Sequence, residues 1–327
     1  MDTYMEELRV LAFESTAHTF GAALVEGDSV LCMDKAQFRT DTGGMKPYEV
    51  ANHHVKQCVS VTQSVAGEAD FDAVAYSESP GIGQCLRVGN VFAKSIALQN
   101  DVPVIPVNHC VAHIEIGRAT TDASDPVFIY VSGGNTQVIS FESGKYRVFG
   151  ETLDIGVGNL LDRVARELGL GFPGGPAIER LAAKTDAVVE APYTMKGMDI
   201  ALGGIFTHFK ELIHQSNTSP EVIANTVQET VFAMVVEATE RALSHTQKEE
   251  VLLGGGVGCN QRLQEMLQVM TSERQCEVYI PENKFLVDNA GMIGVAANKI
   301  GINRAVAVSE AGVHPKRRTD EVEIPYR

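Results

Sequence analysis

The chain has 327 residues, 44% hydrophobic and 21% charged, and 27 Lys and Arg against 42 Asp and Glu leave a formal charge of −15. The apolar content excludes a disordered chain, and the length suggests two domains. The acidic field excludes a uniformly basic nucleic-acid surface, so a phosphate-rich partner must be met by a local patch or by another subunit.

The first apolar run, residues 8–13, leads through Glu14-Ser-Thr-Ala-His-Thr19 into a second at 20–25, which reads as a strand, a polar turn and an antiparallel strand. Residues 48–66 have helical texture, 71–76 read as a strand closed by Ser79-Pro-Gly81, and 86–98 are again helical. A strand at 104–107 runs into Asn108-His-Cys-Val-Ala-His113, with Asn108 placed to cap a helix. After a polar break at 120–125 the opening pattern returns: strand 127–131, glycine turn Ser132-Gly-Gly-Asn-Thr136, strand 137–141. The recurrence suggests a duplicated architecture with one unit per domain. The remainder is more helical, at 156–168 and at 221–245, where Ile223, Val227, Val231, Met234 and Ala238 recur at spacings of three and four. Strand 251–253 then feeds Gly254-Gly-Gly-Val-Gly-Cys-Asn260 and a helix over 261–270, an arrangement that can present backbone N–H groups to a phosphate.

Six scattered cysteines with no C-x-x-C pair indicate neither a zinc ribbon nor a disulfide framework. The acidic N-terminus lacks a signal-peptide pattern, and no apolar run approaches the roughly 20 residues that span a bilayer, so a cytoplasmic protein without membrane attachment is expected.

His109 and His113, four apart, fall on one helix face within reach of a single metal, or form an ordinary capping and core pair. A two-histidine site needs a further ligand, usually a carboxylate; Asp288, where an apolar stretch opens a small-residue helix, is either that ligand or a helix N-cap. The glycine turns at 132–136, 174–175 and 254–258 suit close approach of a nucleotide or are plain tight turns. None matches a P-loop or a G-x-G-x-x-G fingerprint. Asp154, Asp162 and Glu179, near these turns, can bind ribose hydroxyls or be surface charges.

Taken together, Glu14-Ser-Thr-Ala-His-Thr19, Asn108-His-Cys-Val-Ala-His113, Tyr130-Val-Ser-Gly-Gly-Asn-Thr-Gln137, Asp154 with Asp162-Arg-Val-Ala-Arg166, Gly174-Gly-Pro-Ala-Ile-Glu179, Gly254 to Asn260 and Asp288-Asn-Ala-Gly-Met-Ile293 resemble the tRNA threonylcarbamoyladenosine transferases. The likeness is closer to the archaeal and eukaryotic branch, the catalytic subunit of the KEOPS complex, and runs from about residue 8 to about residue 320.

The resemblance implies an α/β fold of two duplicated actin/hexokinase/Hsp70-like (ASKHA, ribonuclease H-like) domains with the active site in the cleft between them. The first is expected over residues 1–125, completed by 296–327, and the second over 126–295. His109, His113, Tyr130 and Asp288 are implied as ligands of one divalent metal, Fe(2+) in preference to Zn(2+). The implied reaction is acyl transfer: threonylcarbamoyl passes from threonylcarbamoyl-AMP to N6 of the adenosine 3′ of the anticodon in tRNAs reading ANN codons, leaving AMP. By the same carry-over Tyr130, Val131, Ser132, Gly133 and Gly134 hold the acyl-phosphate, while Asp162, Gly175, Glu179 and Asn260 hold the adenosine of that donor, or of ATP or AMP. No general base is assigned.

Implied partners are tRNA and separate KEOPS subunits, among them the small atypical protein kinase/ATPase and a small dimerising subunit; with no kinase-like extension after Arg327, that kinase is expected as another chain. Weak tRNA binding by this acidic chain alone is expected, with phosphate contacts from partners or from Lys316-Arg-Arg318. The chain departs from the family at residues 203–206, where Phe-Ser-Gly-Leu is common, and its first turn follows the archaeal pattern without the bacterial cysteine. Cys110 stands where a zincin H-E-x-x-H carries its catalytic Glu, which removes the general base from a protease reading. The alternatives are an ATP-dependent small-molecule kinase of this fold and a non-catalytic nucleotide-binding scaffold.

Overall fold

A computed structural model describes residues 8–40, 45–67, 69–215 and 217–327; the acidic N-terminal segment, residues 1–7, lies outside them. The first half contains strands β1 (Arg9–Glu14), β2 (Thr19–Glu26) and β3 (Ser29–Gln37), helix α1 (Pro47–Ala66), β4 (Ala73–Ser79), α2 (Gly83–Asn100), β5 (Val104–Asn108) and α3 (His109–Thr120). The second contains β6 (Val127–Val131), β7 (Thr136–Glu142), β8 (Lys145–Glu151), α4 (Val157–Glu167), α5 (Gly175–Ala182), the short pair β9 (Met195–Lys196) and β10 (Asp199–Ile200), α6 (Gly203–Gln215), α7 (Pro220–Thr246), β11 (Glu250–Gly254), α8 (Gln261–Glu273), β12 (Glu277–Tyr279), α9 (Asn283–Leu286) and α10 (Ala290–Ile300).

Two five-stranded sheets share one topology. The first is ordered β3-β2-β1-β4-β5 and the second β8-β7-β6-β11-β12. In each, the opening three strands are antiparallel neighbours and the last two run parallel to the first. The repeat seen in the sequence as strand–turn–strand is therefore a duplication of the whole sheet. Strands β3 and β8, which complete each meander, escape a periodicity reading: β3 is almost wholly half-exposed or exposed and lacks an unbroken apolar face.

Strand alternation sends side chains to opposite sheet faces. Leu11 and Phe13 join Cys58 and Val61 of α1 and Ala93 and Ala97 of α2, whereas Val10 and Ala12 join Ala112 and Ile116 of α3 and Met292 and Ala296 of α10. On the second sheet, Val127, Ile129 and Val131 pack on α4, α5, α7 and α8, while Phe128 and Tyr130 face Cys110, Val111 and Ile114 of α3. Helix α3 thus lies between the two sheets, with residues 109–117 all buried. Its approach to the second sheet requires Gly117, because a Cβ there would lie 2.8 Å from Leu252 Cδ2. Helix α10 belongs to the first sheet from its start at Ala290, so residues 290–295, grouped with the second half from sequence, pack on the first.

The C-terminal segment crosses back over both halves. Val306 bridges to Val104, the His314 amide donates to the Glu78 carbonyl at 2.9 Å, and Arg327 stacks 4.4 Å above the Phe141 ring. All six cysteines are free thiols. Among the described residues no helix is long and apolar enough to cross a membrane.

Candidate metal centre and donor cleft

The Asn108 side chain accepts the amides of Cys110 and Val111, fixing the start of α3 so that His109 and His113 emerge one turn apart on one face. Their rings lie 4.8 Å apart, centroid to centroid. Asp288 arrives on the loop between α9 and α10. The cap of α10 is Asn289, whose side chain accepts the Met292 amide at 3.0 Å, so the capping alternative for Asp288 is overturned and its carboxylate is left for the histidines. Asp288 Oδ1 stands 3.4 Å from His113 Nε2 and 3.6 Å from His109 Nε2. Tyr130, on the α3-facing side of β6, places its hydroxyl 2.9 Å from His109 Nε2.

Donors bound to one ion at about 2.1 Å stand about 3.0–3.5 Å apart in octahedral or tetrahedral geometry, and the 2.9, 3.4 and 3.6 Å spacings lie within about 0.1 Å of that range. Two imidazoles and a carboxylate whose ligand atoms all lie within 4.8 Å of one another form a credible divalent-metal set.

A further residue, given no role from sequence, orients this set. Glu14, fully buried at the end of β1, accepts from His109 Nδ1 at 3.0 Å and from the Thr16 amide at 2.6 Å. The Thr16 hydroxyl lies 3.2 Å from the same ring nitrogen. This fixes the tautomer so that Nε2 faces Asp288 and Tyr130. The one sequence signal was a carboxylate closing a buried apolar strand.

Electrostatics follow the geometry. Burial alone would lower the His109 imidazole, but the Glu14 carboxylate holds it up at about 9. Burial lowers His113, offset in part by Asp288. Burial opposes ionisation of Asp288, yet the two histidines keep it well below the usual carboxylate range. Burial raises the Tyr130 phenol far above its ordinary value and pushes the Cys110 thiol up to about 11, which leaves Cys110 a neutral packing residue.

Beside the histidines lies the turn of Ser132, Gly133 and Gly134. The Ser132 and Gly133 carbonyls accept the Gly158 and Asn159 amides of α4 at 3.0 and 2.8 Å. Gly158 must be glycine, since a Cβ would sit 2.7 Å from Gly133 Cα. The Gly133 and Gly134 amides find no acceptor among the described residues and are exposed.

The residues expected at the adenosine form a second group. Asp162 accepts the Gly174 amide at 2.6 Å; burial raises its carboxyl, opposed by the Gly174 and Gly175 amides. Glu179 Oε1 accepts the Gln261 amide at 2.8 Å, and Asn260 Oδ1 accepts the Arg262 amide at 2.9 Å while its Nδ2 donates to Gln228. Helix α8 therefore has its first amides satisfied by Glu179 and Asn260, which corrects the expectation that they face a phosphate. Asp154 accepts the Ile155, Leu202 and Gly203 amides and serves the start of α6, within the segment that departs from Phe-Ser-Gly-Leu.

The basic run is engaged within the chain. Arg317 pairs with the buried Glu78 at 2.8 Å and Arg318 with Glu151 at 3.1 Å, so of Lys316-Arg-Arg318 two cations are already neutralised within the chain.

Comparison with known proteins bears on the family and the fold. The family described as TsaD, tRNA N6-adenosine threonylcarbamoyltransferase, matches residues 31–295. A protein of Methanocella arvoryzae with that name is 46% identical over 98% of this chain and 100% of its own length. One of Thermococcus sibiricus is 45% identical over 97% of this chain and 99% of its own. A probable bifunctional tRNA threonylcarbamoyladenosine biosynthesis protein of Methanocorpusculum labreanum is 46% identical, and this chain spans 62% of it. Among solved structures, HypF of T. kodakarensis aligns over 89% of this chain with a TM-score of 0.61 at 16% identity, and a Clostridium difficile dehydratase activator with bound ADPNP over 89% with 0.53 at 12%; these likenesses bear on the fold.

Proposed function

The chain belongs to the TsaD family of tRNA N6-adenosine threonylcarbamoyltransferases, and from that membership we propose that it transfers threonylcarbamoyl from threonylcarbamoyl-AMP to N6 of the adenosine 3′ of the anticodon in tRNAs reading ANN codons. It is a transferase of tRNA modification, and the kinase alternative is not favoured. The observation that carries the proposal is the convergence of His109 Nε2, His113 Nε2, Asp288 Oδ1 and the Tyr130 hydroxyl next to the unpaired amides of Gly133 and Gly134.

His109, His113, Asp288 and Tyr130 would hold one divalent metal, with Fe(2+) preferred over Zn(2+) because two histidines and one carboxylate are the donor set of non-haem Fe(II) sites. When bound, such an ion supplies Lewis acidity toward a carbonyl oxygen. Glu14 keeps His109 in the required tautomer. The Gly133 and Gly134 amides receive the negative charge that develops on the carbamoyl oxygen or the adjoining phosphate. Val131 and Ser132 set the geometry of that turn, and Asp162, Gly175, Glu179 and Asn260 line the adenosine side. In the reaction the N6–carbon bond forms, the carbon–oxygen bond to phosphate breaks, AMP departs and N6 loses a proton.

The two sheets serve as the two domains of an ASKHA-type enzyme, the first completed by the C-terminal crossing segment. Partners are tRNA and KEOPS-type subunits, including a small kinase/ATPase and a dimerising subunit, in the cytoplasm. The name of the bifunctional relatives, which exceed this chain in length, supports a second biosynthetic component beside the transferase.

The test is reconstitution. The chain and its partner subunits are incubated with threonine, bicarbonate, ATP and tRNA, and the nucleosides are analysed by mass spectrometry. Threonylcarbamoyladenosine should appear and vanish with His109→Ala and Asp288→Ala; its absence with every partner present would sink the proposal.

A further inference from the structure

Lys35 is the third residue from the end of β3, on the first sheet, and reaches the loop that carries Asp288. Its Nζ donates to the Asp288 main-chain carbonyl at 3.2 Å, a bond between residues 253 apart in sequence. The same ammonium is within electrostatic reach of Cys259, immediately before Asn260 in the second half. It is therefore tied to the candidate metal set through the Asp288 main chain and close enough to the Gly254 to Asn260 loop to act on Cys259.

Charge gives this position a purpose. The residues expected to surround the donor include three carboxylates, Asp162, Glu179 and Asp288. A phosphate linking the metal set to the adenosine side meets that negative field. The amides that commonly offset it at a helix N-terminus are spent at α8, where Gln261, Arg262 and Leu263 donate to Glu179 and Asn260. A lysine with one of its three donors fixed on a main-chain carbonyl, and no further acceptor among the described residues, has two left for phosphate oxygens, and its aim is set by that tether.

We infer that Lys35 binds the phosphate of the adenylate donor and of departing AMP, so that the cation from the first sheet completes a site otherwise lined by the second. The inference rests on the transferase reading proposed above and adds a residue to it. During transfer, the phosphate oxygen released from the carbamoyl carbon takes the bonding electron pair, and the ammonium offsets the added charge without giving up a proton.

The experiment compares AMP with adenosine, which lacks the phosphate, by calorimetric titration of the full-length chain and its Lys35→Met and Lys35→Arg variants. Loss of a charge-assisted hydrogen bond should weaken AMP in K35M about 10- to 100-fold. Adenosine should bind all three proteins alike, and K35R should keep most of the AMP affinity. Equal weakening of AMP and adenosine in K35M would mark a merely structural lysine, and an unchanged AMP affinity would place the phosphate elsewhere; either overturns the inference. Failure of the unaltered chain to bind either nucleotide would instead sink the transferase reading on which it stands. Binding of adenosine by K35M doubles as the check that the variant is folded.

Discussion

Glu14 and His109 meet at 3.0 Å with their side chains 0% and 6% exposed, one closing the first strand and the other opening the helix between the sheets. The pair decides which nitrogen of His109 faces Asp288 and Tyr130, and with it the shape of the candidate metal site.

Glu14→Gln should preserve the fold while weakening divalent-metal binding about 10- to 100-fold, the usual range for loss of a carboxylate behind a metal-bound imidazole. Titration of the purified chain with Co(2+) or Zn(2+) measures it. Unchanged affinity in E14Q would show that Glu14 serves packing alone.

The same pair predicts opposite pH trends for stability and for metal. The His109 imidazole sits at about 9 in the fold against 6.5 when unfolded, so the protonated pair stabilises the metal-free chain fully below about 6.5, and that contribution is lost as pH rises through about 9. Its size is at most about 3 kcal/mol at the usual 1.4 kcal/mol per unit. A metal must displace the Nε2 proton, so its affinity should climb over the same interval. Chemical denaturation and metal titration between pH 6.5 and 9 should give slopes of opposite sign; parallel slopes would refute the assignment.

His54 carries the acid sensitivity. Buried on α1, it contacts the Ala17 carbonyl at 3.0 Å through Nε2, and burial followed by the neighbouring His53 lowers it to about 4. The unfolded chain takes up this proton from about 6.5 downward and the folded chain near 4, so stability should fall as pH drops across that window, by up to about 3 kcal/mol. His54→Gln should flatten the acid limb of a denaturation profile measured from pH 7 to 4. A limb as steep as before would assign the effect to other groups.

Binding to tRNA should be weak for the isolated chain. A net charge of −15 repels a polyanion, and Arg317 and Arg318 already have Glu78 and Glu151 as partners. Filter binding at physiological salt should return a dissociation constant well above nanomolar, and Lys316→Glu should change it little. Nanomolar binding by this chain alone would contradict the prediction.

Local chemistry was legible from residues a few positions apart. The strand–turn–strand repeat, the Asn108 cap, the one-face placement of His109 and His113 and the long α7 all follow from periodicities of two or 3.6 and from capping, which operate within a single turn or hairpin. Strand β3 was not legible, because its half-exposed residues carry no unbroken apolar stripe.

What the sequence by itself determined, then, was most of the elements, the duplication and, through its motifs, the candidate metal set and the family. The tertiary structure decided which groups serve those ligands: Glu14 behind His109, 95 residues away; Asp288 beside His113, 175 residues away; Lys35 on Asp288; and Asn289, in place of its neighbour, as the cap of α10. It also turned Arg317 and Arg318 from a basic patch into partners of buried and half-buried carboxylates. The physical reason is that hydrogen bonds and ion pairs act over about 3 to 4 Å in space whatever the separation along the chain, and only the packing of α3 between two sheets brings these residues that close.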